Sequence, residues 1–381
     1  MTYTNCLFDH DGMPNKLKSI LLISLYPISA TGGGENYTLN CAKSISMANI
    51  GCELVAPSDR SFIGDSSERR FHKWFTKQVF NAGSVSYTTQ ETFREILESV
   101  PAYEYLWIHQ YLATASVYDL LLATHNQQII YLTNHGFEEY AEDFWIRYSR
   151  LPNHYFIEVS KYSAKRTQQY TKSVNHLYAG AWKKNLEISS DISITDKNKF
   201  VCVGRLLPHK AFEVAIDALP KTDHLVIIGP DSENPAYKKF LETKSRGKNV
   251  HIVGEVVSSE KDRIVASSIA LLVNSSSVTY QNRVFPHSEL LGLVVIEAIL
   301  NNTLPITSSL PALKEVMSVL KIEHLVYQER NPKSLYEKMN LVRSLSNNEY
   351  RVLIEQAKDI IRQQFLWDNY WFNLQNIIRK S

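Results

Sequence analysis

The sequence predicts an α/β protein built as two doubly wound, Rossmann-like domains facing a cleft. Three observations carry that expectation. The chain has 381 residues, too many for one ordinary domain at roughly 150 residues each. Short apolar runs alternate with helix-like stretches, the signature of strand–helix–strand units around a parallel sheet. After a polar, irregular interval from Lys183 to Asn198 the same pattern begins again, so that interval reads as a linker. The expected boundaries are residues 1–182 for the first domain and 183–359 for the second, with a final helix over 360–381 packing back on the first.

In the first half, Ser19–Leu25 reads as a strand, followed by a loop over Ala30–Glu35 and a helix from about Asn36 to Asn49, with Tyr37, Cys41, Ile45 and Ala48 on one face. Gly51 is placed as the residue that ends this helix, and Glu53–Pro57 as the next strand. Further strands are expected at Tyr105–Ile108, Gln128–Leu132 and Tyr155–Val159. In the second half the expected strands are Lys199–Val203, His224–Ile228, Val250–Val253, Ile269–Val273 and Leu304–Thr307. Helices are expected at Phe212–Leu219 and Leu293–Leu300, and a helical, aromatic-rich tail from Asn347 to Ile378.

Composition narrows the function. With 41 basic and 39 acidic residues the net charge is +2, which provides no excess for neutralising a nucleic-acid backbone. The four cysteines, Cys6, Cys41, Cys52 and Cys202, form no C-x-x-C pair, so neither a zinc site nor a disulfide framework is expected and a cytoplasmic setting fits. The apolar run Ile20–Ala30 is broken by Tyr26-Pro27 and is too short to span a bilayer. Lys16 and Lys18 before it imitate the basic region of a signal peptide, but the glycine cluster that follows fits a strand and loop better.

Three clusters point to chemistry. Gly32-Gly33-Gly34 sits between a strand and a helix, where backbone amides can approach an anion; by itself it also fits a plain tight turn. Gly204-Arg205 and Lys210 leave a strand and enter a helix, and two cations there suit a diphosphate, with a solvated turn as the alternative. Glu289 and Glu297 flank the start of an apolar helix. Each carboxylate can accept hydrogen bonds from both hydroxyls of a vicinal diol, so a sugar and a ribose are suitable partners. Glu297 stands among Val294, Val295, Ile296, Ala298 and Ile299, where a charge is costly unless it is paired or placed at a cleft.

Together these residues resemble a retaining glycosyltransferase of family 4 (group 1) with the two-domain GT-B fold. Glu289 and Glu297 match its E-x7-E motif, and Gly204, Arg205 and Lys210 its G-R-x-x-x-x-K segment. Gly33-Gly34-Glu35 resembles the G-G-x-E loop, Thr133–Gly136 the histidine loop, Pro311–Glu315 the P-x-x-x-E stretch, and Phe365–Trp367 the F-S-W before the final helix. The resemblance implies that Arg205 and Lys210 hold the donor diphosphate, Glu289 the donor sugar and Glu297 the ribose. It implies further that Gly33, Gly34, Gly204, Leu291 and Gly292 line the donor, that His135 reaches the reacting centre, and that the domain over 183–359 binds the nucleotide-sugar and the domain over 1–182 the acceptor. No metal and no separate cofactor are implied. The partners implied are a nucleotide-sugar donor and a glycan or lipid-linked acceptor, in cell-surface polysaccharide or glycoconjugate synthesis. Three departures stand out: Leu290-Leu291 where the family often has Gly-Phe, Ala211 where glycine commonly follows the lysine, and a lengthened loop over Ser275–Phe285. Other uses of the scaffold are a nucleotide-sugar epimerase or hydrolase and a catalytically silent nucleotide-sugar-binding subunit.

A last segment, Arg69–Phe80, reads as a helix with Phe71, Trp74, Phe75 and Val79 on one face and Arg69, Arg70, Lys73 and Lys77 around it. Two outcomes share this pattern: a peripheral helix on an anionic membrane surface, and a helix packed on the domain core.

Overall fold

The structure is a computed structural model that describes residues 19–28, 32–59, 62, 67–110, 114–136, 142–186 and 198–379. Cys6, Lys16, Lys18, Ala30, Thr31 and most of the expected linker lie outside the described residues; a short helix, Lys183–Leu186, is the last described element before that interval.

Two sheets organise the chain. The first contains β1 (Ser19–Ser24), β2 (Gly51–Pro57), β3 (Trp74–Asn81), β4 (Ser84–Thr92), β5 (Tyr105–Gln110), β6 (Ile129–Asn134), β7 (His154–Glu158) and β8 (Val174–His176). Its eight strands run in the order β4-β3-β2-β1-β5-β6-β7-β8. The second contains β9 (Lys199–Val203), β10 (His224–Ile228), β11 (Asn249–Gly254), β12 (Ala270–Val273), β13 (Leu304–Ser308) and β14 (Val326–Tyr327), in the order β11-β10-β9-β12-β13-β14. Every recorded pairing in the second sheet is parallel. In each sheet the order reverses beside the first strand, between β1 and β5 and between β9 and β12. Such reversals open a crevice at the carboxyl ends of the strands, where α/β proteins bind ligands. The central strands are continuous apolar runs, as in parallel sheets covered on both faces, and Ile20–Ile23 and Phe200–Cys202 are buried throughout.

The chain divides into two compact units, one of Met1–Ala30, Thr38–Thr133 and Tyr140–Tyr155, the other of Thr31–Tyr37, Asn134–Glu139 and Phe156–Ser381. The second unit thus contains the whole second sheet, the start of the first helix and the segment around His135.

Several local expectations change. The first helix spans Gly33–Met47 and stops where Asn49 turns left-handed at φ 60°; Gly51 opens β2 instead of ending the helix. Asparagine tolerates that conformation through local hydrogen bonding, so no glycine is needed. The tail is not one helix. Asn347–Gln364 is helical and capped by Phe365, then Leu366 is extended, and both are bound by residues before the linker. The Phe365 carbonyl accepts from the Gly180 and Ala181 amides at 3.0 and 3.1 Å, and the Trp367 amide donates to the Ala181 carbonyl at 2.9 Å. A second helix, Tyr370–Ile378, follows, and the Tyr370 hydroxyl meets that of Tyr37 at 2.8 Å.

The largest correction concerns the basic segment. Glu68–His72 is a 3-10 turn, and Trp74–Asn81 is β3, antiparallel to both β2 and β4. Ala82 and Gly83, at φ 46° and 81°, form the two-residue turn whose twist suits a hairpin. The partner strand Ser84–Thr92, rich in threonine, supplies the ladder. Lys77 is then fixed by Glu53 at 2.7 Å and Glu91 at 3.0 Å, and Arg70 by Asp119 at 2.6 Å. Arg69 stays exposed and Lys73 half-buried, while Trp74 is exposed and Phe75 fully buried. No amphipathic helical face exists here, and the membrane-surface reading of these residues loses its basis.

One buried charge group stands outside all expectations. Glu158, at the end of β7, is fully buried. Its Oε1 accepts from Asn134 Nδ2 at 2.6 Å and Thr167 Oγ1 at 2.8 Å, and Oε2 has no hydrogen-bond partner among the described residues. Burial raises its pKa from the ordinary 4.5 to about 7. The folded state therefore keeps a proton that the unfolded chain has lost, and this stability contribution is complete below pH 4.5 and lost as the pH rises through 7. Unfolding free energies from urea titrations should fall between pH 5 and 7.5, by about 1 kcal/mol per pH unit from this group. Glu158→Gln should flatten that slope; an unchanged slope would show that the carboxyl is not the neutral buried acid described.

Candidate active site

The motif residues singled out above, apart from the basic segment and Thr133, belong to the second unit. β9 ends at Gly204, where φ is +151°, and β10 ends at Gly229, where φ is +152°. The Gly204 amide donates to the Ile228 carbonyl at 2.9 Å, and the Leu206 amide to the Pro230 carbonyl at 2.9 Å. A Cβ on Gly229 would lie 1.9 Å from the Gly204 carbonyl oxygen, so only glycine permits the two strand exits to run side by side. Arg205 leaves this junction and pairs with Glu233 at 3.2 Å. A 3-10 turn over Pro208–Lys210 follows, then Ala211 in the left-handed region at φ 47°, then the helix Phe212–Ala218. The family's usual glycine at that position would carry this conformation without the cost that a Cβ brings.

Lys210 and Glu289 meet as an ion pair, and Ser275 Oγ, just beyond β12, donates to the same Glu289 Oε1 at 2.8 Å. Three strand- and loop-ends thereby converge on one carboxylate. Gly292 sits at φ 84° directly before the helix Leu293–Leu300, and a Cβ there would strike Leu313 Cδ2 at 2.6 Å. Leu290 and Leu291, the departures from the family pattern, are both buried. Glu297 projects from the helix whose Val295, Ile296, Ala298 and Ile299 are buried, and Lys261 Nζ pairs with it at 2.7 Å. The charge among apolar neighbours is thus paired, as burial arguments require.

The glycine loop and the histidine loop belong to the same unit. Gly33 and Gly34 are the first two helical residues, and a Cβ on Gly33 would lie 3.9 Å from Leu293 Cδ1. That places the glycine motif beside the helix that carries Glu297. His135 follows β6 and packs edge-on against Tyr37 at a ring distance of 5.3 Å. Desolvation lowers its pKa from 6.5 to about 3, so the imidazole is neutral at physiological pH. Glu315 faces elsewhere: its carboxylate accepts from the Lys161 and Tyr162 amides at 2.8 and 2.7 Å and from the Tyr178 hydroxyl at 2.5 Å. It thereby satisfies the first two amides of the helix Lys161–Thr167, whose N-cap is Ser160.

The structure brings Lys210 to Glu289 and Gly33 to Leu293; Arg205 and Glu297 are joined to residues that the sequence reading did not select. Glu233, Lys261, Ser275 and Gly229 were missed. The Ile-Ile-Gly-Pro strand end signals Gly229, whereas no spacing rule links Lys261 to Glu297. Among the described residues no group of three or more His, Cys, Asp or Glu side chains stands together as a metal-ligand set. None of their helices is long and apolar enough to cross a membrane.

Residues 184–360 match the family described as Glycosyl transferases group 1. No curated protein sequence matches the chain. Solved structures similar to it include a glycosyltransferase from Rickettsia africae ESF-5, at TM-score 0.70 and 12% identity over 95% of this chain and 98% of that one. The pneumococcal O-GlcNAc transferase GtfA, solved with UDP and GlcNAc, superposes at TM-score 0.60 and 10% identity over 96% and 99%. WaaG, a glycosyltransferase involved in lipopolysaccharide biosynthesis, gives TM-score 0.59 and 14% identity over 95% and 100%. At these identities the structures speak for the fold, and the family match for the chemistry of the second half. Residues 184–360 match the group 1 glycosyl transferases, and the chain is a glycosyltransferase enzyme whose two Rossmann-like sheets have the GT-B fold of the solved structures.

Proposed function

We propose that this enzyme is a retaining glycosyltransferase that moves a sugar from a nucleotide-sugar donor to a hydroxyl of a glycan or lipid-linked acceptor. The observation that carries the reading is the Lys210–Glu289 pair, steadied by Ser275 and lying within the group 1 segment. A diphosphate competes for Lys210 and releases Glu289 to accept hydrogen bonds from donor-sugar hydroxyls. Arg205, held at 3.2 Å by Glu233, supplies the second cation, and its planar fork suits phosphate oxygens. Glu297, steadied by Lys261, takes the ribose diol. Gly204 and the amides of Gly33, Gly34, Leu291 and Gly292 line the donor.

In the transfer, the bond from the anomeric carbon to the diphosphate oxygen breaks. The bond to the acceptor oxygen forms on the same face, and the acceptor proton passes to the departing phosphate. Arg205 and Lys210 stabilise the charge that develops on the leaving group, which is electrostatic catalysis by preplaced cations, and we propose that it proceeds without a metal or separate cofactor. Neutral His135 contributes a hydrogen bond near the reacting centre and carries no charge. GtfA, solved with UDP and GlcNAc, and WaaG, with its role in lipopolysaccharide synthesis, support a nucleotide-sugar donor and a cell-surface glycoconjugate product. The unpaired thiols of Cys41, Cys52 and Cys202 suit a cytoplasmic setting.

A thermal-shift panel of UDP-, GDP-, ADP- and dTDP-sugars should identify one base that stabilises the protein. With that donor, Lys210→Ala and Glu289→Gln should each lower turnover by roughly 100-fold or more, and the double variant by less than the product, since the two side chains interact. Turnover left intact in Lys210→Ala would sink the diphosphate assignment. The pH–rate profile between pH 5 and 8 should show no limb from an imidazole, because His135 titrates at about 3. A limb near 6.5 that vanishes in His135→Asn would show a charged histidine at work instead.

A further inference from the structure

The segment that lengthens the loop before Glu289 is a braced hairpin. Val278 and Val284 bridge antiparallel. The Thr279 amide donates to the Arg283 carbonyl at 2.9 Å and the Phe285 amide to the Ser277 carbonyl at 2.6 Å, with Asn282 turning the chain at φ 60°. Its base is fixed by Glu329, whose Oε1 accepts from Ser276 Oγ, the Ser277 amide and Ser277 Oγ at 2.8, 2.6 and 2.7 Å. Arg330 Nη1 donates to the Val278 carbonyl at 2.8 Å. On one side Tyr280 stacks on Phe240 at 4.2 Å; on the other Phe285 stacks on His209 at 4.5 Å, nearly parallel.

What this bracing holds up is an exposed stretch, Gln281–Pro286, with Val284 72% and Phe285 46% exposed. The Phe285 ring covers His209 with one face and leaves the rest to solvent. The Arg283 guanidinium makes no ion pair with any described residue. A fixed aromatic ring with a free face receives the C–H face of a pyranose, and a desolvating neighbour plus an unpaired cation selects an anionic one. The place is defined by sequence continuity: His209 precedes Lys210, and Glu289 lies four residues beyond Phe285. On the proposed reading of Lys210 and Glu289 as the donor site, a second sugar on the adjoining platform belongs to the acceptor.

We propose that the hairpin Ser277–Phe285 is an acceptor subsite for an acidic glycan, with Phe285 and Val284 carrying a sugar ring and Arg283 pairing with its carboxylate or phosphate. This rests on the reading of Lys210 and Glu289 as the donor site. The test is calorimetric titration of the full chain, saturated with its preferred nucleotide, with three probes: methyl glucoside, methyl glucuronide and methyl glucoside 6-phosphate. The wild type should bind at least one anionic probe roughly fivefold tighter than the neutral one, the range of an exposed ion pair. Tighter binding of the glucuronide assigns a carboxylate, and tighter binding of the phosphate a phosphoryl group. Arg283→Gln should abolish the difference, and Phe285→Ala should weaken all three. The nucleotide-induced thermal shift should be unchanged in both variants, which also shows that they fold. Failure of the wild type to bind any probe, equal affinity for all three, or unaltered affinities in both variants overturns the subsite. Loss of the nucleotide shift in the wild type itself would overturn the donor reading instead.

Discussion

The ion pair of Lys210 and Glu289, with Ser275 as third member, is the interaction around which the group 1 segment is arranged. Lys210 comes from the exit of β9, Ser275 from the exit of β12, and Glu289 from the turn before the helix Leu293–Leu300. These strands flank the reversal in strand order, so their ends diverge and leave room between them. A half-buried charge without a partner is expensive, and a matched one holds its neighbours in register. The pair is also exchangeable. In the proposed function a diphosphate takes the lysine and sugar hydroxyls the carboxylate, so one contact is replaced by two.

That backbone is held by geometry more than by charge. Gly204 and Gly229 let two loops touch, and Gly292 fits under Leu313 where no side chain could. Beyond them the site depends on paired ions at a second distance: Glu233 on Arg205, Lys261 on Glu297. Each functional group thus arrives already oriented, which reduces what substrate binding must order. Glu315, in the segment that resembles the family's P-x-x-x-E stretch, ties the helix Lys161–Thr167 to its neighbour through two backbone amides.

How much of this was legible in the sequence depends on the kind of information. Lys199–Val203, His224–Ile228 and Leu293–Leu300 read with their observed bounds because unbroken apolar runs between turn signals have few alternatives. Arg69–Phe80 read wrongly because Phe71, Trp74, Phe75 and Val79 fit a helical face nearly as well as a strand, and the decision lay downstream, in Ala82-Gly83 and the β-rich run after it. The main acidic and basic groups of the site were visible as motifs. Their counter-ions were not, since Lys261 and Glu297 are joined by folding and by no period along the chain. Glu158 was invisible for the same reason: nothing in Phe-Ile-Glu-Val announces that the carboxyl will be buried.

The meeting of Tyr37 with Tyr370, and of Ala181 with Phe365 and Leu366, carries a consequence for the order in which the molecule can be made. The unit that contains Gly33, His135, Lys210 and Glu289 is assembled from three separated stretches of chain. During synthesis from the amino end, β1 to β6 can pair early, but the start of the first helix waits for a partner more than three hundred residues away. A nascent chain that already carries every charged group of the site therefore still lacks the aromatic clasp beside His135. The clasp closes late, with the emergence of Trp367 and Tyr370, so a growing polypeptide holds Lys210 and Glu289 before it holds the frame around Tyr37 and His135.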